Sequence, residues 1–371
     1  MNGTLDIAFF GSSLVSAYWN GAATYYRGII RALAARGHRI TFYEPDAYER
    51  QKYRDIDPPP WAKVVVYPAD ERAVWHALED ACNADLLIKA SGVGVFDQLL
   101  ESAVPQIKSQ HTVVIFWDVD APATLERVTN NPADPFRALI PKYDMIFAYG
   151  GGEPVARSYR ALRARNCEVV YNALDPETHH RAAPDPRFAA DLALLANRLP
   201  DREARIEDFF LTVAARAPQK RFVLGGNGWL EKPVPWNVVC AGHVYTKDHN
   251  SFNSTPRAVL NVNRESMARF GFSPPTRIFE AAGAAACVIS DDWRGIETFL
   301  EPGREVLVAR SGEEVLAHLH SLTAERARAI GCAAYQRVLS EHTYAHRVEQ
   351  LERLLDVRVA GERVAKTAVV G

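Results

Sequence analysis

Three features are scarce in this sequence of 371 residues: paired cysteines, an excess of charge of one sign, and long hydrophobic runs. The five cysteines lie far apart and form no C-x-x-C pair, which is typical of reduced thiols rather than of a disulfide framework. The 43 basic and 45 acidic residues nearly balance, and the basic ones are scattered. We therefore expect no nucleic-acid partner.

The hydrophobic runs are all short. None approaches the ~20 residues that a transmembrane helix needs, and the N-terminal stretch "LDIAFFGSS" has no basic leader before it. We expect a cytoplasmic protein with no integral membrane segment. The chain is long for one hydrophobic core, so its length favours two domains.

Short apolar runs alternate with helical patterns in both halves of the chain. The first half contains "LDIAFFG", "HRITFYEP" and "HTVVIFWDVD", and the second contains "RFVLGGNGW", "AVLNVNRES" and "CVISDDW". This alternation is typical of parallel sheets covered by helices. We predict two Rossmann-like halves with a boundary near residues 173 to 186. An amphipathic helix follows in "RVEQLERLL", with Val348, Leu351, Leu354 and Leu355 at helical spacing.

The stretch "PPTRIFEAAGAAACVIS" carries an arginine and a glutamate at the start of a predicted helix. A helix that begins near Pro275 leaves the amides of Thr276, Arg277 and Ile278 without intrahelical partners, and Arg277 would add a bidentate grip on a phosphate. Glu280 lies on the same helix face, where its carboxylate could accept both hydroxyls of a ribose. The alternative is an ordinary surface ion pair between arginine and glutamate.

Two further segments suit the binding of a phosphorylated ligand. The strand in "RFVLGGNGW" ends in glycines, and Gly226, Asn227 and Gly228 would let the backbone approach a ligand closely. A tight turn without a ligand uses the same residue types. Arg202 stands at the start of the helical pattern in "LANRLPDREARIEDFF", where it either reaches a diphosphate or is solvated.

The motif "DVD", Asp118 to Asp120, follows the apolar run "VVIFW". It resembles the metal-binding D-x-D of one glycosyltransferase architecture, but that architecture lacks the two halves argued here, so we predict no bound metal. A carboxylate at a strand end is a candidate general base, and we assign that role to Asp120 because Pro122 keeps the loop extended. Asp118 would share the task or orient Asp120. The alternative for Asp120 is an N-cap of the helix that begins near Pro122.

Taken together, these segments resemble a GT-B glycosyltransferase, and more specifically the CgeB-like (spore maturation protein type) family. The most specific part is "PPTRIFEAAGAAACVISDDWRGIETFLEPGREVLV". "RALAARGHRITFYEP", "VVYNALDPETHH", "VVCAGHVY", "LNVNRES" and "EHTYAHRVEQLERLL" are similar to further family segments in the same order. The resemblance implies an α/β fold of two Rossmann-like domains facing a cleft. The N-terminal acceptor domain would span 1–172, with 347–371 crossing back to complete it, and the C-terminal donor domain would span 173–346.

The resemblance also implies a donor site. The helix amides and Arg277 would face the donor diphosphate, Glu280 would hold the ribose, and the loop in "VVCAGHVY" would meet the nucleobase. Arg264 stands where the family shows an arginine, whereas Phe272 replaces a glutamate of better-known relatives. The full set of predicted donor-binding residues is Arg202, Gly226, Asn227, Gly228, His243, Val244, Tyr245, Arg264, Thr276, Arg277 and Glu280.

These residues predict a glycosyltransferase that moves a sugar from a nucleotide-sugar, most simply a UDP- or dTDP-sugar, without a further cofactor. The acceptor could be a small molecule, a glycan or a protein. One alternative is a GT-B type epimerase acting on a nucleotide-sugar. The other is a non-catalytic nucleotide-sugar-binding protein, which the replacement by Phe272 and the lack of an unmistakable base would suit.

Overall fold

The computed structural model describes residues 3–355. This part of the chain separates into two compact units. The first contains residues 3–149, 156–171 and 344–355, and the second contains residues 150–155 and 172–343. The chain therefore leaves the first unit and returns to it near its end.

The first unit contains a parallel sheet of seven strands, whose order is β3-β2-β1-β4-β5-β6-β7. Most residues of these strands are apolar and most are buried, as expected for a sheet that is covered on both faces. The strands are β1 Asp6–Phe10, β2 Arg39–Asp46, β3 Lys63–Pro68, β4 Leu86–Ala90, β5 Val113–Asp118, β6 Met145–Ala148 and β7 Cys167–Val169.

Helices connect these strands, as the alternating pattern predicts. They are α1 Ala23–Ala35, α2 Glu71–Ala81, α3 Asp97–Ala103, α4 Ala121–Asn130, α5 Pro135–Leu139 and α6 Gly152–Ala161. A 3₁₀ turn at Ile140–Lys142 precedes β6.

A final helix at 344–355 packs within the first unit. Its side chains Val348, Leu351 and Leu355 are buried. Gln350 donates a hydrogen bond from Nε2 to the carbonyl of Val169 at 3.0 Å, at the end of the last strand of the sheet. The predicted amphipathic helix and its return to the first unit are therefore confirmed. Leu354 is only half-buried.

The second unit repeats the design with six parallel strands in the order β10-β9-β8-β11-β12-β13. Their apolar side chains, together with those of the flanking helices, form its core. The strands are β8 Leu192–Leu195, β9 Phe222–Gly225, β10 Val238–Gly242, β11 Ala258–Asn261, β12 Val288–Asp291 and β13 Leu307–Ala309.

The first helical region of this unit contains a π-helical segment, Glu207–Thr212, between two α-helical ones. Short 3₁₀ turns lie at Pro186–Phe188 and Ile296–Thr298. The α-helices are α7 Pro200–Ile206, α8 Val213–Arg216, α9 Thr246–Ser254, α10 Glu265–Phe270, α11 Thr276–Gly283, α12 Gly312–Ser321 and α13 Ala324–Glu341.

Both sheets have one point where the strand order reverses. In the first unit it lies between β1 and β4, and in the second between β8 and β11. Open parallel sheets bind ligands outside the carboxyl ends of the two strands at such a point. The topology therefore directs attention to the residues that follow Leu195 and Asn261.

The sequence also led to predictions about the cysteines and about membrane-spanning helices. All five cysteines are free thiols. Among residues 3–355, no helix combines the length and the hydropathy required to cross a membrane.

Candidate functional site

Arg277 lies at the reversal point of the second sheet. It belongs to α11, which begins at Thr276 directly after Pro275, as predicted. Its Nε donates a hydrogen bond to the carbonyl of Leu195 at 2.6 Å, and its Nη1 donates to Oδ1 of Asn261 at 2.7 Å. Since these residues end β8 and β11, the guanidinium spans the two strands between which the order reverses. It is not half of an ordinary surface ion pair.

Arg202, on α7, is a second cation beside this point. Its side chain is buried, and Nη2 donates to the carbonyl of Asn197 at 2.6 Å. Its Nε is also buried and has no hydrogen-bond partner within the described residues. Burial, followed by the charge of Arg277, lowers the pKa of Arg202 to about 9. Burying a guanidinium next to another is costly, and an anionic ligand would offset that cost.

Arg264 is the third arginine of this group, at the start of α10. Its Nε donates to the carboxylate of Asp201 at 2.6 Å, and it lies close enough to Arg202 to help lower the pKa of that residue. The arginines predicted from three separate segments are thus neighbours. Asp201 partly neutralises Arg264.

A network of buried polar residues lies next to this group of arginines, and the sequence patterns did not predict it. Asp291, at the end of β12, is fully buried and accepts hydrogen bonds from Arg205 Nη2 at 2.7 Å and from the Asn263 amide at 3.0 Å. Burial raises the pKa of Asp291 despite these partners. Asn261 donates from Nδ2 to the Asp291 carboxylate at 3.4 Å, so the network reaches the residue that Arg277 contacts.

The glycine turn after β9 packs against the loop after β8. Gly226 has a φ of +118°, and a Cβ there would lie 2.2 Å from the carbonyl oxygen of Ala196. The Asn227 amide donates to Oδ1 of Asn197 at 2.9 Å. Gly228 also has a positive φ, of +88°. The close approach that glycine permits at Gly226 is thus to the protein's own backbone at the reversal point.

The segment His243 to Tyr245 follows β10 and lies beside this turn. Nδ1 of His243 is 3.4 Å from Nδ2 of Asn227. The rings of His243 and Tyr245 stand edge to face with centroids 4.4 Å apart, and Tyr245 is exposed while Val244 is buried. The turn and the loop therefore form one continuous surface that includes an exposed aromatic ring.

Glu280 lies on α11, one turn beyond Arg277, and is only 7% exposed. Two histidines that sequence reasoning missed, His179 and His249, lie next to it. Burial by itself would raise the pKa of Glu280, but His179 and His249 in their protonated form, together with Arg277, outweigh it, and the pKa is lowered. Glu280 is therefore held as an anion.

Asp120 lies in the first unit, at the residue before α4, and is half-buried. Its side chain makes no capping hydrogen bond to that helix. Asp118 is fully buried and accepts hydrogen bonds from the Tyr159 hydroxyl at 2.5 Å and from Thr124 Oγ1 at 3.0 Å. It also accepts from the Asp120 amide at 3.1 Å, so it holds the backbone of Asp120, and burial raises its pKa.

One family model and several solved structures are similar to this chain. Residues 202–353 match the family described as Glycosyl transferase-like. With a sucrose-phosphate synthase from Thermosynechococcus elongatus the chain shares 13% identity at a TM-score of 0.67, covering 96% of this chain and 100% of the other. This chain is a glycosyltransferase with the GT-B fold.

Two further solved structures share the fold. Anabaena HepE in complex with UDP-glucose superimposes with a TM-score of 0.68 at 12% identity, over 95% of this chain and all of the other. The T4 phage BGT in complex with its UDP-glucose substrate gives a TM-score of 0.59 at 11% identity, over 94% and 98% of the two chains. No curated protein matches the sequence.

Phe272, which stands where the resemblance implies a glutamate, lies in the loop before α11. Its backbone is left-handed, with a φ of +48°, which is unusual for a bulky residue. Its amide donates to the carbonyl of Arg294 at 2.6 Å, and the Arg294 guanidinium lies 5.3 Å from the centre of its ring. A Cβ on Gly295 would lie 2.2 Å from that ring. The position thus holds a strained aromatic residue fixed by its neighbours.

Proposed function

We propose that this glycosyltransferase takes a UDP-sugar as its donor, binds it in the second unit outside the ends of β8 and β11, and belongs to the CgeB-like subfamily. The observation that carries the proposal is the position of Arg277, which spans the two strand ends where parallel sheets bind ligands. UDP is favoured over dTDP because HepE and the T4 phage BGT were solved with UDP-glucose.

The donor diphosphate is assigned to the arginine group. The terminal nitrogen of Arg277 that is not bonded to Asn261 remains for a phosphate oxygen, and the buried Nε of Arg202 has no other partner within the described residues. The amides at Thr276 and Arg277 add the partial positive charge of a helix N-terminus. When the sugar leaves, charge grows on the diphosphate, and Arg264 and these groups would stabilise it.

The nucleoside is assigned to the surface next to this group. Glu280, held as an anion, accepts the two ribose hydroxyls in this proposal. The nucleobase would lie against His243, Val244 and Tyr245, where the exposed ring of Tyr245 offers a stacking face. The turn of Gly226, Asn227 and Gly228 supports this loop through the contact between Asn227 and His243.

Asp120 is the proposed general base for the acceptor hydroxyl. Its neighbour Asp118 is occupied by Tyr159 and Thr124, so Asp118 acts as a positioning residue that holds the Asp120 amide. A base contributes typically 10²- to 10⁴-fold to the rate of such a transfer, and an inverting enzyme would need one. A retaining enzyme may use the donor phosphate instead.

The acceptor is left open among small molecules, glycans and proteins. One of the similar structures is an alpha-glucosyltransferase in complex with UDP and a 13-mer DNA. The scattered basic residues of this chain favour an acceptor other than nucleic acid. We place the reaction in the cytoplasm, as the sequence predicts.

The proposal is tested by calorimetric titration with UDP, UDP-glucose, dTDP and GDP. We expect UDP and UDP-glucose to bind, and Glu280→Ala to bind both more weakly than the wild type. Labelled donor incubated with acceptor pools should then give an adduct. An isomerised nucleotide-sugar without adduct would instead identify an epimerase, and failure to bind any nucleotide would refute the donor site.

A further inference from the structure

Two histidines and a glutamate meet inside the second unit. His179 follows the linker that enters the unit, His249 lies on α9, and Glu280 lies on α11. One potential ligand atom from each lies within 4.8 Å of the other two. His179 is 1% exposed and Glu280 7% exposed, while His249 is half-buried. Two imidazoles and a carboxylate are the ligands that Zn²⁺ and similar ions prefer.

The backbone around this cluster is fixed by contacts that do not involve a ligand. Asn250 donates from Nδ2 to the carbonyl of Thr178 at 2.9 Å, and the amide of His180 donates to Oδ1 of Asn250 at 3.1 Å. These bonds tie the segment of His179 to α9. A Cβ on Gly283 would lie 2.8 Å from the carbonyl oxygen of His179, so glycine lets that segment approach α11. The backbone segments that carry the three groups are thus held next to one another.

The hydrogen bonding of His249 indicates which of its ring nitrogens can offer a lone pair to a metal ion. Its Nε2 lies 3.2 Å from the carbonyl oxygen of Val244, and because a carbonyl only accepts, this nitrogen carries the proton. In the neutral ring, which is the form that binds metals, Nδ1 then holds a lone pair, and it is buried without a hydrogen-bond partner within the described residues. Histidines that bind metals usually donate their other ring N–H to a backbone carbonyl in this way. A metal ion would satisfy Nδ1.

We propose that His179, His249 and Glu280 form a binding site for a divalent transition-metal ion of the Zn²⁺ type, with water completing its coordination. Bonds of ~2.0–2.2 Å place tetrahedral ligand atoms about 3.3–3.6 Å apart. Since the three atoms lie within 4.8 Å of one another, they need to approach by at most about 1.5 Å. Mg²⁺ and Ca²⁺ prefer oxygen ligands and are not expected here. The sequence patterns did not reveal this site, because these residues are far apart along the chain.

The site has a consequence for the donor, which rests on the proposed function. If Glu280 accepts the ribose hydroxyls, the same carboxylate cannot hold a metal ion at the same time. Zn²⁺ would then compete with UDP, and saturating metal would weaken the apparent affinity for the nucleotide. The metal would act as an inhibitor rather than a cofactor.

The test uses the full-length protein after treatment with a chelator and dialysis. Co²⁺ is added while visible absorption is recorded, and Zn²⁺ is then used to displace it. We expect one equivalent of Co²⁺ to bind with the absorption bands of a site with nitrogen ligands. His179→Ala and His249→Ala should each weaken Co²⁺ binding by at least about tenfold. His320→Ala, an exposed histidine of the same unit, is the matched control and should bind as the wild type does.

Other outcomes decide against the site. The proposal is overturned if wild-type protein shows no such bands, or binds Co²⁺ no more tightly than His249→Ala, or binds Mg²⁺ equally well. Should His179→Ala lose its fold by circular dichroism, His249→Ala alone decides, since its position is half-buried. A UDP titration without metal runs in parallel. Metal binding without UDP binding would refute the donor site alone, and UDP binding without metal binding would refute this inference alone.

Discussion

Replacing Arg277 with lysine tests the donor site most directly, because it keeps the positive charge and removes the planar, bidentate geometry of the guanidinium. The guanidinium donates to Leu195 at 2.6 Å and to Asn261 at 2.7 Å, and these bonds orient the remaining terminal nitrogen. An ammonium group concentrates its donors at one point and cannot serve both strand ends and a phosphate at once.

The size of the effect follows from the bonds lost. A hydrogen bond to a charged group contributes about 1.5–3 kcal/mol, so losing one from the complex should weaken UDP binding about 10- to 100-fold. Leaving the Leu195 carbonyl or the Asn261 amide oxygen without its partner should also cost about 1–3 kcal/mol of folding stability.

The assay is calorimetric titration of UDP into wild type and variant, with urea unfolding in parallel. Arg304→Lys is the control, since the ion pair of Arg304 within the described residues is an exposed one with Glu301 at 2.9 Å. Such pairs contribute less than about 1 kcal/mol, so that variant should match the wild type. If folded Arg277→Lys binds UDP within twofold of the wild type, Arg277 does not contact the diphosphate.

Three further predictions concern the fold and its acids. Gly226→Ala should lower the free energy of unfolding in urea by about 3 kcal/mol or more, because its methyl group would meet the Ala196 carbonyl at 2.2 Å. Gly303 also has a positive φ but nothing within 4 Å, so Gly303→Ala should lower it by about 1 kcal/mol. Equal losses of stability in the two variants would contradict this. Because burial raises the pKa of Asp118, the wild type should lose stability relative to Asp118→Asn as the pH rises through that pKa. The urea midpoints of the two proteins are compared from pH 4 to 8, and a difference between them that stays constant would disprove this. Ending the chain at residue 343 removes the buried side chains of Tyr344, Val348, Leu351 and Leu355, worth about 2 kcal/mol each. Their total approaches the stability of a whole domain, so a soluble product with unchanged melting would contradict the docking of this helix.

Local sequence patterns were sufficient to predict most of the fold. Apolar runs and helical spacing reveal a parallel α/β architecture because each strand and helix shows its own periodicity. The start of α11 was predictable for a similar reason, since two prolines before Thr276 fix where a helix begins. The arginine at the start of this helix, Arg277, also indicated an anionic ligand.

The missed features depend on tertiary approach. His179 and His249 meet Glu280 from positions 101 and 31 residues away, and no spacing rule links them. The left-handed backbone at Phe272 is equally invisible, because a bulky residue with positive φ contradicts its own propensity. Polar residues at the ends of β11 and β12 were a usable signal for the Asp291 network, but only the strand order shows that those ends are adjacent.

The final helix at 344–355 also constrains how the protein is made. Residues 3–149 and 156–171 leave the ribosome long before that helix is synthesised, because residues 172–343 come between them. At 5–20 residues per second this interval lasts roughly 10 to 30 s. During it, the apolar surface that later receives Val348, Leu351 and Leu355 has no cover. The main segment of the second unit, residues 172–343, is continuous and has no such interval. While it is being made, the N-terminal unit lacks a helix and is open to proteases and chaperones.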